Sequence, residues 1–404
     1  MKILNKTFVL MAFVLCAISV QSQEDSLKKP KLVISGYLDA YYNISFNNPG
    51  VGAKLWGPAL GSRAFDINNN QFSLGIVQGK FDYTNHQFEV VADLVAGPNA
   101  SLLTLASFTS NTYASGSLGG GVFGIKQLYG VYKPTDKLSF TVGQFGTHIG
   151  YEVIESSINY NYSLSNLFNN GPFFHTGVKM NYAVSDKFGF MVGLVNSWDS
   201  FDDNNGFKSP MAQLSFFPVK GLSVYLNYLY GKGDRAGSAT IASALVGSTK
   251  PEGFSTSIYD LTASYVVGKV TLGLNAAAGS FNASASDLKP KFKAITKGEK
   301  DSPSFSGIAG YFNIAPTSTF SIGTRVEQYD DFYGVRYLGG ANTSLTFTSV
   351  FTLANGSLLL KPELRIDSST GKNNVNGHVD LYTDENGKTT DSQTTLGVSA
   401  IFKF

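Results

Sequence analysis

The sequence has very little cysteine and no apolar run long enough to cross a membrane as a helix. Its single cysteine, Cys16, excludes a scaffold held together by disulfide bonds. The longest apolar stretch, Phe8 to Ile18, falls short of the roughly 20 residues that a membrane-spanning helix needs. The 31 basic and 29 acidic residues nearly balance, so no excess of positive charge indicates a nucleic-acid partner.

The first 22 residues have the organisation of a secretory signal peptide. Lys2 and Lys6 precede the apolar stretch, and the small residue Ser22 follows it, so we expect cleavage after Ser22. Cleavage there takes away Cys16 and both lysines, which leaves 29 basic and 29 acidic residues. The sequence therefore predicts an exported chain that has no cysteine and almost no net charge.

The chain is rich in glycine and in aromatic residues, with 43 Gly, 31 Phe and 21 Tyr. From Phe188 to Leu194, bulky side chains alternate with glycine and Met191. Period-two alternation is typical of β-strands, because successive side chains lie on opposite faces. Both arms of the hairpin over 174–198 approach the about 9–11 residues with which a tilted strand crosses a bilayer.

The connections between the sixteen predicted strands are of two alternating kinds. Short ones such as "VSDK" and "APTS" contain turn-forming residues, whereas others, such as 97–123 and 368–391, are long. Short turns at one edge and long loops at the other are typical of outer-membrane barrels with an even number of strands. We predict an all-β fold: a single transmembrane antiparallel barrel with short periplasmic turns and long extracellular loops. The alternative, a secreted array of β-sandwiches, needs shorter strands and turns at both edges.

Charged residues predict which face of the strands borders water. Near the C-terminus, one face of a single strand carries Lys361, Glu363, Arg365 and Asp367. A midplane Arg or Lys that faces lipid costs about 2–4 kcal/mol, so this face must line an aqueous lumen. The same alternation places a further set in the lumen: Lys179, Asn181, Arg325 and Glu327.

The last predicted strand ends on an aromatic residue. Apolar side chains alternate from Leu396 to Phe404, and such a strand resembles the signal that the barrel-insertion machinery reads. The predicted organisation is a signal peptide over 1–22, a short periplasmic segment over 23–31 and an outer-membrane barrel over 32–404.

Several pieces of the first half resemble a known family. They are "GQFGTHIGYE", "INYNYSLS", "GPFFHTGVK" and "GLVNSWD", all between residues 143 and 199. These pieces resemble the OmpL-like β-barrel porins of Bacteroidota-type outer membranes, and "GYLDAYYNISF" at 36–46 is similar to the first strand of that family. The resemblance implies a porin-like barrel in the bacterial outer membrane and names no substrate.

One long connection, 149–173, is a candidate for the narrowest part of a pore. A sixteen-stranded barrel is wide enough for an aqueous channel, so we expect a loop folded inward to set the size limit. The predicted constriction residues in this loop are Glu152, Glu155, Tyr160 and Tyr162. If both glutamates reach the narrowest point, their charge favours cations. The alternative is an outward surface loop.

Metal sites receive little support from the sequence. His148, Glu152, Glu155 and His175 carry metal-ligating groups, but their spacing defines no site, and structural hydrogen bonding is favoured. A second acidic stretch lacks the fixed ligand spacing of a calcium loop, which favours a solvated acidic loop. Its members are Asp199, Asp202 and Asp203.

The favoured function is passive diffusion of small polar solutes with a weak charge preference. Lumen charges of interspersed sign cancel beyond the screening length of about 8 Å, and the sequence has no Arg/Lys ladder for anion selectivity. The alternative is a plugged structural or partner-docking barrel. Without a G-x-S-x-G motif or an exported cysteine, we predict no enzyme, no metal and no cofactor. The predicted partners are outer-membrane lipid, the barrel-insertion machinery through the strand that ends at Phe404, and small polar solutes.

Overall fold

The computed structural model describes residues 30–49, 55, 63–100, 122–196, 198–203, 206–232, 254–283, 304–331, 336, 340–369, 372–373, 377–378 and 380–404. The predicted signal peptide, 1–22, lies outside these residues, as does most of the predicted periplasmic segment 23–31. Among the described residues, no helix has the length and apolar character needed to cross a membrane.

Sixteen antiparallel strands of the described chain close into a barrel, and the last of them pairs with the first. They are β1 (Lys31–Ser45), β2 (Gln71–Thr84), β3 (Phe88–Gly97), β4 (Val122–Thr135), β5 (Leu138–Gly146), β6 (Phe174–Ser185), β7 (Phe188–Val195), β8 (Ser209–Phe216), β9 (Leu222–Lys232), β10 (Phe254–Val267), β11 (Val270–Ala283), β12 (Ser304–Ile314), β13 (Phe320–Asp330), β14 (Ala341–Leu353), β15 (Leu358–Ser369) and β20 (Ser392–Lys403). The connections also contain α1 (Asn166–Asn169), β16 (Lys372–Asn373), β17 (Gly377–His378), β18 (Tyr382–Thr383) and β19 (Thr389–Thr390). The predicted sixteen-stranded, all-β barrel is confirmed.

The strand ends differ from the predicted ones where a polar contact turns the backbone away. The alternation predicts a strand from residue 67, but β2 begins at Gln71, because the preceding residues bend toward β1. There the Ser45 amide donates to Asn69 Oδ1 at 2.8 Å. β7 ends at Val195 instead of 198, and Asp199 just beyond it has a left-handed φ of 50°.

The outer face of the barrel is apolar and exposed. Phe72 is 91% exposed, and Val192 and Leu194 are about half exposed, as expected for side chains that face lipid. Aromatic pairs lie between neighbouring strands near both edges. Near the short turns these pairs are Phe88 with Tyr132, Phe188 with Phe216 and Phe320 with Phe351; toward the long loops they are Tyr42 with Phe72 and Tyr228 with Tyr259. Aromatic girdles of this kind mark the two interfaces of a membrane-spanning barrel.

Apolar packing also occurs inside the barrel, where a connecting segment meets the inner faces of the strands. One cluster joins Ile149 and Leu167 of this segment to strand residues such as Ile258 and Tyr311. A second cluster contains Tyr162, Leu164 and Phe168 together with residues of β1 and β15. The core of the protein therefore lies within the lumen, between the barrel wall and a segment folded into it.

The two faces of the β6–β7 hairpin predict opposite responses to a charge. Val192 lies at the middle of β7 on the outer face, so Val192→Arg should lower the free energy of unfolding by about 2–4 kcal/mol. Asn181 pairs with Met191 at a neighbouring register position but faces the lumen, so Asn181→Arg should have little effect. Urea unfolding in lipid vesicles measures both changes. Equal losses would contradict the assignment of faces.

An inner loop across the barrel lumen

The segment between β5 and β6, residues 147–173, lies inside the barrel; we call it the inner loop. Residues 161–168 are all buried, and α1 forms part of this buried stretch. The loop thus occupies a position in which the lumen wall surrounds it and its backbone groups must find partners there.

Side chains within the inner loop fix its local conformation. Ser165 is the N-cap of α1, and its hydroxyl accepts a hydrogen bond from the Phe168 amide at 3.0 Å. The Ser165 amide in turn donates to Glu152 Oε2 at 2.7 Å, which ties the start of the helix to the beginning of the loop. Asn159 donates to the Val153 carbonyl at 2.6 Å and accepts from the Val153 amide at 3.1 Å. The inner loop therefore has hydrogen bonds of its own, in addition to its contacts with the barrel wall.

Arg325 on β13 is the central charged contact between the wall and the inner loop. Its side chain is fully buried, and its Nη1 lies 2.6 Å from Glu152 Oε1 and donates to the Ser163 carbonyl at 2.7 Å. Glu327, two residues along on the same face, lies 3.5 Å from the Arg325 Nε and accepts from the Asn166 amide at 2.8 Å. Each of these buried charges therefore has a partner of opposite sign or a backbone donor.

The charged face of β15 binds the backbone of the inner loop. Glu363 accepts hydrogen bonds from the amides of Tyr162 and Ser163 at 2.7 and 3.0 Å. Arg365 donates to the Leu164 carbonyl at 2.8 Å and pairs with Asp367 at the same distance. These strand residues face inward, but the inner loop covers them, which differs from the contact with water that the sequence suggested.

Contacts to β1 and to the start of β15 hold the tip of the inner loop. Asp39 on β1 accepts from the Tyr162 hydroxyl at 2.9 Å and from the Ser156 hydroxyl at 3.1 Å. Lys361 on β15 donates to the Ser156 carbonyl at 2.6 Å and also to the Asn159 carbonyl. A lysine that is 1% exposed thus keeps two carbonyl acceptors.

The opposite wall also holds the inner loop through a charged contact. Lys126 on β4 forms ion pairs with Glu155 and with Asp93, the latter at 3.1 Å. Lys126 stands at a β-bulge, because Asp93 pairs with Gln127 whereas Leu94 pairs with Ile125. The bulge turns the Lys126 side chain into the lumen beside Gln127, which strict alternation would not allow.

Glycines on the inner wall make room for two aromatic residues of the inner loop. A Cβ at Gly323 on β13 would lie 2.7 Å from Tyr160 Cβ, closer than packed carbon atoms come. A Cβ at Gly273 on β11 would lie 2.5 Å from the Tyr151 hydroxyl. The inward glycines of these strands are therefore contact surfaces for the inner loop.

Burial and charge shift the pKa values of the loop groups in a consistent way. Burial raises the pKa of Glu155, but the ammonium group of Lys126 outweighs this effect and leaves the pKa below its ordinary value. Burial lowers the pKa of His148 to about 4, so the ring is neutral at pH 7. Its Nε2 lies 3.0 Å from the Tyr228 carbonyl. Burial also raises the pKa of the Tyr162 hydroxyl far above its usual range.

The structure places the four predicted constriction residues inside the barrel, and the two glutamates among them have partners of opposite charge. The sequence suggested that the charge of Glu152 and Glu155 favours cations if both reach the narrowest point; in the structure both carboxylates are paired, with Arg325 and Lys126. Tyr160 and Tyr162 pack against the wall of β13, β15 and β1. Their role as a constriction stays a prediction.

Two of the predicted lumen residues lie apart from the wall residues that contact the inner loop. Lys179 Nζ sits 4.3 Å from the centre of the Phe145 ring, and Asn181 donates to Ser139 at 3.5 Å. The other predicted lumen residues meet the inner loop directly or through Arg365; they are Arg325, Glu327, Lys361, Glu363, Arg365 and Asp367.

The acidic stretch after β7 is not uniformly solvated, which corrects the prediction. Asp199 is 7% exposed, and its Oδ1 accepts from the amides of Phe173 and Phe174 at 2.6 and 3.0 Å. It therefore fixes the end of the inner loop, whereas Asp202 is exposed and Asp203 pairs with Lys208. Within the described ranges, no group of three or more His, Cys, Asp or Glu is arranged to hold a metal ion.

A cavity of about 520 Å³ lies between the inner loop and strands β4, β8, β9 and β10. It extends to Ser223, the second residue of β9, and therefore reaches the short-turn end of the barrel. A smaller cavity of about 240 Å³ adjoins it and shares Tyr151 and Ser264. The inner loop thus crosses the lumen but does not fill all of it.

Comparison with known proteins indicates one family. Residues 31–404 match the family model described as "Putative beta-barrel porin-2, OmpL-like". A search of curated proteins finds no match.

Solved porin structures share the fold at low sequence identity. The anion-selective porin from Comamonas acidovorans superposes with a TM-score of 0.56 and 11% identity, covering 93% of this chain and 100% of that chain. The outer-membrane channel DcaP of Acinetobacter baumannii has a TM-score of 0.55 and 11% identity, and the match covers 95% of this chain and 100% of that chain. OmpT of Vibrio cholerae has a TM-score of 0.54 and 12% identity, and the match covers 93% of this chain and 100% of that chain.

The buried ion pair predicts a large cost when its cation is removed. Arg325→Met leaves Glu152 and Glu327 without their main partner, so the free energy of unfolding should fall by about 3–5 kcal/mol. The control is Lys133→Met, because Lys133 is 43% exposed and pairs with Glu89 near a short turn. That change should cost about 0–1 kcal/mol. Urea unfolding of both variants in detergent measures the two changes in the free energy of unfolding. Losses of similar size would contradict the role of burial.

Asp199 predicts a fall in stability as the pH rises. Burial raises its pKa to about 6, although two backbone hydrogen bonds and the charge of Arg336 act in the opposite direction. Between about pH 4 and pH 6 the unfolded chain loses this proton while the folded chain keeps it. The contribution of Asp199 to the free energy of unfolding should therefore fall by on the order of 2–3 kcal/mol across this range and then stay level.

The variant Asp199→Asn should lack this fall, because an amide oxygen accepts the same two hydrogen bonds and carries no charge. Asp186→Asn, in an exposed turn between β6 and β7, is the control and should keep the fall. The measurement is urea unfolding at a series of pH values for the three proteins. Identical pH profiles for wild type and Asp199→Asn would contradict the assignment.

Proposed function

This chain belongs to the OmpL-like β-barrel porin family that its residues 31–404 match, and on that basis we propose that small polar solutes diffuse through the barrel past the inner loop. The protein is an outer-membrane barrel of the porin class whose outer face borders lipid. In this proposal the inner loop sets the size limit, and the barrel-insertion machinery reads the final strand that ends at Phe404. No catalytic step is part of it.

The position of the inner loop is the observation that carries the proposal. The loop is fixed to β13 and β15 on one side and to β4 on the other. An open cavity of about 520 Å³ nevertheless runs beside it toward the short-turn end. In this arrangement the inner loop limits the size of the solutes that pass beside it, and the loop itself does not have to move.

The pairing of lumen charges supports a weak charge preference. Glu152 pairs with Arg325, and Glu155 pairs with Lys126, so neither glutamate acts as an isolated negative charge. Opposite charges a few ångströms apart have little combined field beyond the screening length of about 8 Å. We therefore propose near-equal permeability to small cations and anions, in place of the cation preference that free glutamates would give.

A second candidate, a plugged structural or partner-docking barrel, is favoured by the density of contacts to the inner loop. The loop has hydrogen-bonding partners on both sides of the lumen, including Asp39 on β1, Asp260 on β10 and Arg325 on β13. A segment held in this way has the contacts expected of a permanent plug. The two candidates differ in whether ions cross the barrel while the loop stays in place.

A cross-link that holds the inner loop in place separates these candidates. Asn161 Nδ2 donates to Thr348 Oγ1 on β14 at 2.8 Å, so the two cysteines of the double variant Asn161→Cys, Thr348→Cys can be joined by a short bis-methanethiosulfonate, whose two thiosulfonate groups each form a disulfide and release a sulfinate. In planar bilayers we expect stepwise conductance from the wild type, and the cross-linked protein should keep most of it. The reversal potential under a KCl gradient should stay near zero.

The matched controls are the two single-cysteine variants, which receive the same reagent. Conductance that vanishes only in the cross-linked double variant would mean that the loop must leave for solutes to pass. No conductance from the wild type would support the plugged barrel, and a strongly anion- or cation-selective reversal potential would overturn the charge argument.

A further inference from the structure

We propose that the cavity beside the inner loop is a binding site for neutral polyhydroxylated solutes such as sugars. This inference rests on the proposed pore function and names its class of solute. It is carried by the two unlike sides of the cavity, by the neutralisation of the charges around it, and by its volume.

The barrel wall supplies uncharged polar groups to the cavity. Gln127, Gln213, Ser223, Tyr225 and Ser264 line it from β4, β8, β9 and β10, and all five are partly exposed. Amide and hydroxyl groups both donate and accept hydrogen bonds. They match the hydroxyl groups of a sugar, which also donate and accept, and they provide no charge for an ionic solute.

The inner loop supplies an apolar side to the same cavity. Val153 is 38% exposed and Ile158 is 68% exposed, although both lie inside the barrel. Tyr151 also lines the cavity, and its ring stacks on Tyr311 with the centroids 4.4 Å apart. A sugar ring has hydroxyl groups at its edge and C–H groups on its faces. One polar side and one aliphatic and aromatic side are therefore complementary to it.

Charged groups at the cavity are neutralised by their neighbours. Lys126 is paired with Glu155 and with Asp93, and Glu152 is paired with Arg325. His148 is half-buried and neutral at pH 7. A solute with a full charge would enter this space without an unpaired counter-charge to replace its water, whereas a neutral solute needs none.

The size of the cavity fits a small ring compound. A volume of about 520 Å³ lies within the range of roughly 300–1,000 Å³ that small-molecule sites occupy. The adjoining cavity of about 240 Å³ shares Tyr151 and Ser264, so a second ring could continue along the inner loop. Disaccharides should therefore bind at least as well as single sugars.

The test is current block in planar bilayers, with glucose or maltose added on the short-turn side. We expect both sugars to interrupt the ion current, maltose at the lower concentration. Tyr225→Ala and Ser264→Ala should each raise the concentration for half-maximal block at least about threefold. Asn181→Ala is the control, because Asn181 faces the lumen on β6 outside the cavity, and it should leave this concentration unchanged.

Three outcomes would overturn the inference while leaving the pore function in place. Conductance could be normal with no sugar block. Sodium glutamate or arginine chloride could block more strongly than maltose at equal concentration. Finally, Asn181→Ala could change the block as much as Tyr225→Ala does. Heat-dependent mobility on SDS gels checks that each variant is folded.

If the wild type gives no current, the proposed pore function fails, and the sugar site is tested separately. Titration calorimetry with maltose is then carried out on the folded protein in detergent. Heat of binding that Tyr225→Ala and Ser264→Ala weaken and Asn181→Ala preserves would support a sugar site in a closed barrel. No heat of binding in the wild type would overturn the inference as well.

Discussion

The burial of the Arg325 guanidinium against Glu152 is the interaction on which the interior of this barrel depends. A guanidinium group removed from water needs anionic and carbonyl partners for its donors, and β13 itself supplies only part of them. The inner loop supplies further acceptors through Glu152 and the Ser163 carbonyl, and Thr346 on β14 accepts one more hydrogen bond at 3.2 Å. The wall therefore requires the loop as much as the loop requires the wall. The carboxylates of Glu327 and Glu363 extend the same dependence to the backbone of the loop.

This dependence explains how one chain meets lipid outside and forms a packed core inside. On the outer face, bulky side chains such as Phe72 and Leu194 remain exposed because the hydrocarbon of the membrane surrounds them. On the inner face, glycines such as Gly323 remove side-chain volume where an aromatic residue of the loop has to fit. The enrichment of both residue types in one sequence reflects these two surfaces.

The sequence was sufficient for the barrel because strand alternation is a local property. Each strand shows its own pattern, as β7 does from Phe188 to Leu194, and the short turns mark where each hairpin reverses. Lys126 shows where this local rule ends. A single bulged residue reverses the direction of a side chain, and no sequence signal marked that position.

The partners within the site could not be predicted for a different reason. Glu152 and Arg325 are 173 residues apart in the chain, and their contact depends on the path of the inner loop through the lumen. Alternation indicated that Arg325 and Glu363 face inward, but it carried no information on what covers them. The burial of Asp199 was missed in the same way, because its partners, the amides of Phe173 and Phe174, are backbone groups that every sequence has.

The pairing of β20 with β1 closes the barrel, and it has a consequence for the order of assembly. This seam joins residues from opposite ends of the chain, such as Tyr37 and Lys403, so it forms only after the whole chain is available. The inner loop binds Asp39 on β1 and Glu363 on β15, the two strands that flank β20. It therefore reaches across β20 on the inside of the barrel and ties β1 to β15. A loop from the first half of the chain thus links the two margins of the seam at which the ends of the chain meet.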